Sequence, residues 1–457
     1  MNKLKITLLR PNYHSHLVTP PLGLGYLSSY LKGRGCDINI IDGLNLNYSI
    51  GKIINQCKGS DIIGINCLSA YFLEVVELTK QLKKLGYTIV IGGAHASALP
   101  ELTLKETQAD YIVIGEGELS FFQLVDAIEN DLPVDGIMGI ATRRNIGTIQ
   151  KSPLIENLDS LPYPDWKQIN PATYKKAPHG GLVKSFPVAP IISTRGCPFE
   201  CTFCSSPFLW GRTIRFRSPE NVVGEIEYLI DEFKVREIHF EDDNLTLKRE
   251  HIEGICNIIL KRNIKINWAT PNGVRADTLD WGLLRLMKES GCYSLAFGIE
   301  SGNQEILNRI KKKTNLKTIE RTVRLAKKLG IVTQGFFIFG LPGETEKTIQ
   351  ETIDFAKRLP LDKAQFLILD ILPGSELWDG LRRGQVVNWN YKSYQEVTWV
   401  PEGLDGPRLR RSVRYAFRSF FFRPRQMLFL LKYFKLGQTP FIIKRIIDFN
   451  IFSFSKH

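Results

Sequence analysis

Two blocks of alternating strand-like and helix-length segments most constrain the fold of this 457-residue chain. In residues 1–134, five short apolar runs are each followed by a segment long enough for a helix. Strands that are apolar throughout are typical of parallel sheets covered by helices on both faces. The pattern therefore predicts a doubly wound parallel α/β domain, with a ligand site at the carboxyl ends of its strands. The predicted strands are Lys5–Leu9, Asp37–Ile41, Asp61–Asn66, Thr88–Ile91 and Tyr111–Ile114, and the predicted helices are Pro21–Lys32, Ile50–Cys57, Tyr71–Leu85, Leu102–Glu106 and Phe121–Ile128.

The second block, residues 188–385, repeats the alternation with six strand candidates. A complete eight-unit barrel needs about 250 residues, and this block is shorter, so we predict a partial (β/α)6 barrel. Residues 135–187 carry several prolines, including those of Leu161–Trp166, and we interpret them as a linker. The predicted strands are Pro190–Thr194, Glu237–Glu241, Lys265–Thr270, Ser294–Gly298, Thr333–Phe339 and Ala364–Leu369, with helices such as Pro219–Phe233 and Thr314–Leu329 between them.

Residues 386–457 form a basic C-terminal region. The whole chain has a net charge of +13, and residues 401–457 hold twelve Lys or Arg against three Asp or Glu. Because the remainder is nearly balanced, we expect no nucleic-acid partner. Arginines and apolar residues at helical spacing predict amphipathic helices broken at Pro424 and Pro440. Two interpretations stay open: a helical cap on the barrel, which we prefer, and a face that lies on an anionic membrane and reaches a lipid substrate.

The compartment is predicted from apolar runs and cysteine usage. No apolar run reaches about 18 residues, and the first residues lack the apolar core and cleavage site of a signal peptide. We therefore expect a cytoplasmic protein, peripheral to the membrane only if the basic region binds there. Five of the eight cysteines are scattered in apolar surroundings, which suits a reducing compartment. These five are Cys36, Cys57, Cys67, Cys256 and Cys292.

The other three cysteines, Cys197, Cys201 and Cys204, follow directly on a predicted strand. Thiolates at this spacing can hold three corners of a [4Fe–4S] cube. The fourth iron then lacks a protein ligand, so a substrate or cofactor can bind it directly. The alternative is structural zinc, which usually takes four ligands. A fourth ligand would have to come from a distant part of the chain, because no Cys or His lies close by.

The motif C-x3-C-x2-C after a strand, with an aromatic residue before its last cysteine, resembles the radical S-adenosylmethionine (SAM) superfamily. Further segments follow in the order of that family, each at a predicted strand end, and this order argues against zinc. They are Phe240–Asn244, Asn272–Arg275, Phe297–Ser301, Phe339–Gly343 and Ile371–Ser375. The resemblance implies that Phe203 lies against the adenine of SAM and that the loop after the second strand binds its amino group. The implied SAM contacts are Phe203, Asp242, Asp243, Asn244, Arg275, Glu300, Ser301 and Gly340.

The resemblance also implies a reaction. SAM would bind the open iron through its amino and carboxylate groups. One electron from the reduced cluster would then cleave SAM to methionine and a 5′-deoxyadenosyl radical, which the barrel shields. An electron donor such as flavodoxin or ferredoxin would be a partner.

The first block resembles the Rossmann-like cobalamin-binding domain that precedes many radical SAM domains. The segments that carry this resemblance are Pro20–Leu27, Gly92–Ser97 and Gly115–Glu118. The Asp-x-His-x-x-Gly motif, which supplies a histidine ligand to cobalt in other cobalamin proteins, is absent. We therefore predict base-off cobalamin without a histidine lower ligand. The implied cobalamin contacts are Pro21, Leu22, Gly23, Ser69, Gly92, Gly93, His95, Gly115, Glu116 and Gly117.

The favoured activity is methylation of an unactivated carbon in a small molecule or lipid, with cobalamin carrying the methyl group. Related enzymes also close rings or rearrange their substrates without methyl transfer, and no residue here separates these outcomes. A second class, the methylthiotransferases that modify RNA, carries another cysteine triplet in the front domain. Cys36, Cys57 and Cys67 do not all sit at strand ends, which argues against it. A third possibility is a non-catalytic cobalamin or iron–sulfur sensor, against which the intact triplet argues.

Overall fold

The computed structural model describes residues 3–15, 17–176, 183–381 and 397–433, together with Thr439 and Ile443. These residues form two compact units, each built around a six-stranded sheet that is wholly or mainly parallel. The first unit lies within Met1–Lys175, Ser205–Arg215 and Leu372–Tyr391, and the second lies within Lys176–Cys204, Phe216–Ile371 and Lys392–His457.

The first unit is built around one sheet. Its strands are β1 (Lys5–Arg10), β2 (Asp37–Asp42), β3 (Ile62–Asn66), β4 (Thr88–Gly92), β5 (Tyr111–Val113) and β6 (Ile140–Ala141). They lie in the order β2-β1-β3-β4-β5-β6, and only β6 runs antiparallel to its neighbour. Side chains of β3 alternate between two cores: Ile62 packs into one, while Ile63 and Ile65 pack into the other. The apolar strands therefore have both faces covered, which confirms the predicted α/β class.

Helices connect these strands and bring the strand ends to common edges. They are α1 (Leu22–Lys32), α2 (Gly43–Leu46), α3 (Ile50–Gln56), α4 (Phe72–Lys84), α5 (Ala94–Ala98), α6 (Pro100–Thr107) and α7 (Gly117–Glu129). Two of them begin where a short polar side chain caps the first turn: Asp42 accepts from the Asn45 amide, and Ser49 from the Lys52 amide. Each helix returns the chain to the edge of the sheet where the next parallel strand begins. The loops after β1, β3, β4 and β5 therefore all lie at the carboxyl edge of the sheet.

Residues 135–175, predicted as part of a linker, pack with the first unit. β6 extends the sheet at one edge, and Gln168 covers the other. The Gln168 side-chain amide donates to the Ile38 carbonyl at 3.1 Å and accepts from the Ile40 amide at 2.7 Å. Gln168 thus satisfies backbone groups of the edge strand β2 that would otherwise be open to pairing with another chain.

The second unit contains the predicted partial barrel. The further strands are β7 (Val188–Ile191), β8 (Thr194–Arg195), β9 (Arg215–Phe216), β10 (Glu237–Phe240), β11 (Asn267–Val274), β12 (Cys292–Glu300), β13 (Val332–Phe339) and β14 (Lys363–Ile368). Six of them form one parallel sheet in the order β14-β13-β12-β11-β10-β7. Each strand of this sheet is added beside the preceding one, as six βα units require. Only the bounds differ from prediction; β7, for example, begins two residues before Pro190.

The helices of this part of the chain are α8 (Ser206–Trp210), α9 (Pro219–Phe233), α10 (Arg249–Lys261), α11 (Trp281–Glu289), α12 (Gln304–Arg309), α13 (Leu316–Lys328), α14 (Glu346–Arg358) and α15 (Glu376–Leu381). The short helices α8 and α15 belong to the first unit, so the segment directly after Cys204 folds with that unit. Short 3-10 turns lie at Ser69–Tyr71, Leu158–Ser160, Pro171–Thr173 and Ala276–Thr278.

One predicted strand end was wrong. The segment Asn272–Arg275 was expected to follow the third barrel strand, but β11 continues through Val274, which pairs with Phe297. The register of β11 against β12 shifts between Thr270 and Val274, so an irregularity carries the strand past Pro271. Proline and glycine in this stretch suggested a loop, whereas they lie at a bulge within the strand.

The basic C-terminal region forms helices α16 (Gly406–Phe421) and α17 (Pro424–Tyr433), which are divided at Pro424 as predicted. Pro440 lies outside the described residues. The apolar side of α16 is buried, and Phe417 and Phe420 meet the ring of Phe366 on β14 at centroid distances of 5.4 and 6.2 Å. α16 therefore caps the last strand of the barrel, the interpretation that we preferred. Among the described residues, no helix is long and apolar enough to cross a membrane.

Candidate active site

The three clustered cysteines lie on the loop after β8, and all three are half-buried and outside any disulfide. Burial raises the pKa of the Cys201 thiol, and the positive charges of Lys312 and Arg275 act against that rise. Cations beside a thiol favour the thiolate, the form that binds iron. Among the described residues, no three His, Cys, Asp or Glu side chains are gathered to hold one metal ion. The corners of an iron–sulfur cube lie on separate irons, so its thiolate ligands do not converge on one atom.

The cysteine loop is fixed to the turn between α12 and α13. The Thr202 amide donates to the Ile310 carbonyl at 3.1 Å. Arg275 lies over the ring of Phe199, 3.6 Å from its centroid, and donates to the carbonyls of Lys312 and Lys313 at 2.8 and 2.9 Å. The predicted SAM contact Arg275 therefore ties the loop to this turn, which sets the position of the cysteines.

A buried ion pair lies next to the loop. Lys312 donates to Glu300 at 2.7 Å, and each side chain is 9% exposed. Burial alone would lower the Lys312 pKa, but the charges of Glu300 and Cys201 hold it above its ordinary value. Gly298 leaves room for the pair, because an added Cβ would lie 2.8 Å from the Glu300 carboxylate and 3.0 Å from Lys312 Nζ. Lys312 was missed by sequence reasoning, since it stands in a run of lysines that resembles an exposed turn.

The loop after β10 carries three predicted SAM contacts, and their side chains lie in different surroundings. Asp242 is buried and accepts from the Ser193 amide, the Ser193 hydroxyl and the Thr194 hydroxyl at 2.7–2.9 Å. Burial raises its pKa to about 6, and these hydrogen bonds act against the rise. Asp242 thus fixes the strand that leads into the cysteine loop. Asp243 is exposed; burial raises the Cys197 pKa, and the charge of Asp243 adds to that rise. The amide of buried Asn244 has no hydrogen-bond partner in the part of the chain described, which suits contact with a cofactor.

Three other predicted SAM contacts differ in exposure. Phe203 is half-buried on the cysteine loop. Ser301 is fully buried, where its hydroxyl pairs with that of Thr352 at 3.2 Å and accepts from the Asn303 amide. Ser301 thus stabilises the start of α12. Gly340 has φ +86° directly after β13, a conformation that glycine adopts without strain.

The carboxyl edge of the first unit carries the predicted cobalamin contacts. Gly92 ends β4, and Gly93 has φ +105°; a Cβ at Gly93 would lie 2.7 Å from the Cys67 carbonyl. Cβ atoms at Gly23 and Gly115 would meet no described atom within 4 Å. Gly117 begins α7, and Pro21 and Leu22 stand at the start of α1, so these predicted contacts lie at the same carboxyl edge.

Two of these predicted contacts are held by their own neighbours. His95 is 1% exposed, its Nδ1 pairs with the Ser69 hydroxyl at 2.9 Å, and its ring stacks on Phe72. Burial lowers the His95 pKa to about 4, so the imidazole is neutral at pH 7. Glu116 is buried in an ion pair with Arg215 at 2.8 Å. Glu116 therefore holds the segment after the cysteines within the first unit.

Comparison with known proteins decides the family. Residues 191–356 match the Radical SAM superfamily, and residues 13–125 match the B12 binding domain. An uncharacterized methyltransferase of Pyrococcus horikoshii is 34% identical over 98% of each chain. The chain belongs to the radical SAM superfamily.

Two further comparisons cover most of this chain. Cytidylyl-2-hydroxyethylphosphonate methyltransferase of Streptomyces wedmorensis is 30% identical over 91% of this chain and 90% of its own. The solved structure of the cobalamin-dependent SAM radical enzyme OxsB, with aqua-cobalamin and SAM bound, covers 97% of this chain and 72% of its own. Its TM-score is 0.75 at 18% identity, which shows a shared fold.

These findings confirm that the chain is a radical SAM enzyme whose cofactors are a [4Fe–4S] cluster, SAM and cobalamin. The individual SAM and cobalamin contacts stay predictions. Cys36, Cys57 and Cys67 are not gathered into a second triplet, because Cys57 and Cys67 lie in one core of the first unit and Cys36 packs against the other.

The buried carboxyl group of Glu344, in the loop after β13, makes the free energy of unfolding depend on pH. Glu344 is 0% exposed, accepts from the Gly340 and Leu341 amides, and has its pKa raised to about 8 by burial. Between pH 4.5 and 8 the unfolded chain gives up this proton while the folded chain keeps it. The free energy of unfolding should therefore fall with rising pH, by up to about 1.4 kcal/mol per pH unit.

Glu344→Gln should remove that fall, because glutamine can accept the same two bonds without ionising. Urea unfolding of both proteins at several pH values between 4.5 and 8 measures the difference. Parallel curves for the two proteins would contradict the assignment.

Proposed function

We propose that this radical SAM enzyme methylates an unactivated carbon of a small molecule or lipid. The observation that carries the proposal is the cysteine loop fixed beside the buried Glu300–Lys312 pair, in a chain with a B12-binding domain. When bound, the cluster and SAM supply the 5′-deoxyadenosyl radical, and cobalamin supplies the methyl group. The Pyrococcus and Streptomyces relatives, both named methyltransferases, support methyl transfer here.

The described side chains suit this chemistry by position and charge. Lys312, beside Cys201, would attract the carboxylate of SAM, and Asp243, beside Cys197, would attract its ammonium group. The buried side-chain amide of Asn244 would form hydrogen bonds with the same ligand. Arg275 and Asp242 act as positioning residues, since their partners belong to the loop and to the segment that leads into it.

Methyl transfer is tested by product analysis. Enzyme reconstituted anaerobically with cobalamin and cluster is supplied with methyl-deuterated SAM, reduced flavodoxin and a candidate substrate. Equal amounts of 5′-deoxyadenosine and S-adenosylhomocysteine, with the label in the product, support the proposal. Product formed with 5′-deoxyadenosine alone would overturn it in favour of ring closure or rearrangement.

We propose that cobalamin binds base-off, without a histidine ligand to cobalt. The Nδ1 of His95 is engaged by Ser69, and its ring stacks on Phe72, which favours a packing role. The EPR spectrum of the cob(II)alamin-loaded protein should show no nitrogen superhyperfine splitting. His95→Ala is expected to leave that spectrum unchanged. Splitting that disappears in His95→Ala would contradict the proposal.

We further propose that α16, whose apolar side caps the barrel, contacts an anionic membrane with its opposite, basic side, together with α17. Residues 406–433 contain eight Lys or Arg and no Asp or Glu. Met427 and Leu428 are 49% and 67% exposed on the same helices, a composition typical of interfacial helices. Met427→Ser/Leu428→Ser should bind vesicles containing phosphatidylglycerol severalfold more weakly in co-sedimentation. Equal binding by both proteins would contradict the membrane contact.

A further inference from the structure

Two strands of the partial barrel are partly exposed on its inner face. From Thr333 onward, β13 alternates between buried and partly exposed residues, and β14 does so throughout. The buried set belongs to the outer face, since Phe366 packs against Phe417 and Phe420 of α16. Successive side chains of a strand point to opposite faces, so the partly exposed set faces the inside of the barrel. We call it the inner wall; its residues are Gln334, Phe336 and Ile338 on β13 and Lys363, Gln365 and Leu367 on β14.

The residues of the inner wall lie side by side in three rows. Each row is about 6.6 Å from the next, because two residues of a parallel strand rise by that distance. The two rows nearer the amino ends of the strands contain polar side chains, and the row at the carboxyl edge is wholly apolar. A ligand along the wall therefore meets polar groups at one end and apolar groups at the other. From the amino ends, the rows are Gln334 with Lys363, Phe336 with Gln365, and Ile338 with Leu367.

Small residues on the neighbouring strands leave space in front of the inner wall. Ala296 and Gly298 of β12 pair in register with Gln334 and Phe336, so they share the inner face. Complete barrels fill this face with bulky branched side chains. On β11, a Cβ added at Gly273 would lie 3.3 Å from the Phe336 ring, so the ring extends over a position without a side chain. The inside of the barrel is therefore concave along β13 and β14.

The middle row of the inner wall lies next to the predicted SAM site. Phe336 pairs in register with Gly298. A Cβ at Gly298 would lie 2.8 Å from the Glu300 carboxylate and 3.0 Å from Lys312 Nζ, and Lys312 lies beside Cys201. A molecule bound on the inner wall is therefore adjacent to the ion pair that we expect to contact SAM.

The amino ends of the neighbouring strands are crossed by residues 184 and 185. The Ser185 amide donates to Glu237 at 2.6 Å, and the Lys184 amide donates to the Tyr293 hydroxyl at 3.3 Å. Asn267 donates to the Ser185 hydroxyl at 2.9 Å. These three partners stand at the starts of β10, β12 and β11. The segment limits how far a ligand can extend away from the carboxyl edge, which favours a compact ligand.

We propose that Gln334 and Gln365 select a compact substrate with a neutral polar group, such as an amide or a hydroxyl. The inference rests on the proposed function and narrows its substrate to a small molecule. Lys363 already interacts with another group, whereas the side-chain amides of Gln334 and Gln365 make no hydrogen bond within the part of the chain described. Each amide can donate and accept. The apolar part of the substrate, which carries the unactivated carbon, lies against Ile338 and Leu367.

Two probes of similar shape and a matched set of variants test this selection. The first probe, para-fluorophenyl-propanamide, carries a neutral amide, and the second, para-fluoro-isopentylbenzene, carries an isopropyl group in its place. Gln334→Leu/Gln365→Leu removes both amides of the inner wall with little change in side-chain volume. The control is Gln350→Leu, because Gln350 is exposed on α14 and donates only to Asp354 of the same helix.

Fluorine NMR titrations with the reconstituted, SAM-loaded holoenzyme measure the Kd of each probe. The Kd of the amide probe should rise about tenfold in Gln334→Leu/Gln365→Leu, because the hydrogen bonds of two neutral groups are lost. Gln365→Leu alone should raise it severalfold. The Kd of the isopentyl probe should stay equal or fall in both variants, which also shows that they are folded. Gln350→Leu should match the wild type with both probes.

An equal Kd of the amide probe in the wild type and in both inner-wall variants would overturn the proposal. So would a wild type that does not bind this probe at millimolar concentration. Binding of para-fluorophenyl-propanoate at least tenfold tighter than the amide would overturn the neutral class and assign the wall to an anionic group. If the amide probe binds as expected but turnover yields product with 5′-deoxyadenosine alone, methyl transfer fails and the inner wall stands.

Discussion

Replacement of Cys201 by alanine is expected to abolish cluster binding and SAM cleavage while leaving cobalamin binding intact. Each of the three thiolates holds one corner of the cube, and two corners do not retain it. The iron content should fall from about four per chain to a small fraction of that. Cobalamin content should be unchanged, because the B12-binding domain belongs to the first unit and Cys201 to the second.

The matched control is Cys36→Ala. Cys36 is also a half-buried free thiol, but it lies in the first unit. Iron and sulfide analysis, the visible absorbance of the cluster and bound cobalamin are measured for both variants. Full iron content in Cys201→Ala, with SAM cleavage retained, would contradict the assignment of this loop as the cluster site.

Lys312→Met is expected to destabilise the fold and to weaken SAM binding together. The variant leaves the Glu300 carboxylate buried without its cation, and breaking a buried pair in this way costs about 3–5 kcal/mol of unfolding free energy. SAM would also lose the cation expected to attract its carboxylate. Chemical unfolding measures the first effect, and equilibrium dialysis with SAM on the reconstituted protein measures the second.

The double variant Lys312→Met/Glu300→Gln separates the two roles. With both charges removed, most of the lost stability should return, since no buried ion is left unpaired. SAM affinity should stay low, because the cation is still missing. Recovery of SAM affinity along with stability would show that the pair only supports the fold.

The fold was predictable because its signals are local and repeated. The apolar strands and the helices between them follow from the spacing of apolar residues and from the turn residues that separate the segments. The family resemblance at Cys197, Cys201 and Cys204 predicted the position of the cluster loop. Strand ends with bulges were less predictable: Pro271 and Gly273 suggest a loop, but pairing of Val274 with Phe297 keeps β11 intact. Register between distant strands leaves no mark in the local sequence.

Side-chain roles in the site were harder to predict than its location. Asp242 and Ser301 stand in segments that resemble SAM-binding motifs, yet their hydrogen bonds are directed into the protein. Lys312 stands between two exposed lysines that both have positive φ, and its own side chain is buried against Glu300. A run of lysines carries no signal that one of them is buried, because its partner lies on another element.

The central claim is that the cysteine loop and the charges around it form a SAM-cleaving site, and it is tested most directly by quantifying 5′-deoxyadenosine. Fully reconstituted wild-type enzyme is incubated anaerobically with SAM and dithionite, beside Cys201→Ala and a sample without reductant. We expect equal amounts of 5′-deoxyadenosine and methionine from the wild type and none from the other two. Wild-type protein with a complete [4Fe–4S] cluster, bound SAM and reductant that forms no 5′-deoxyadenosine would contradict the account.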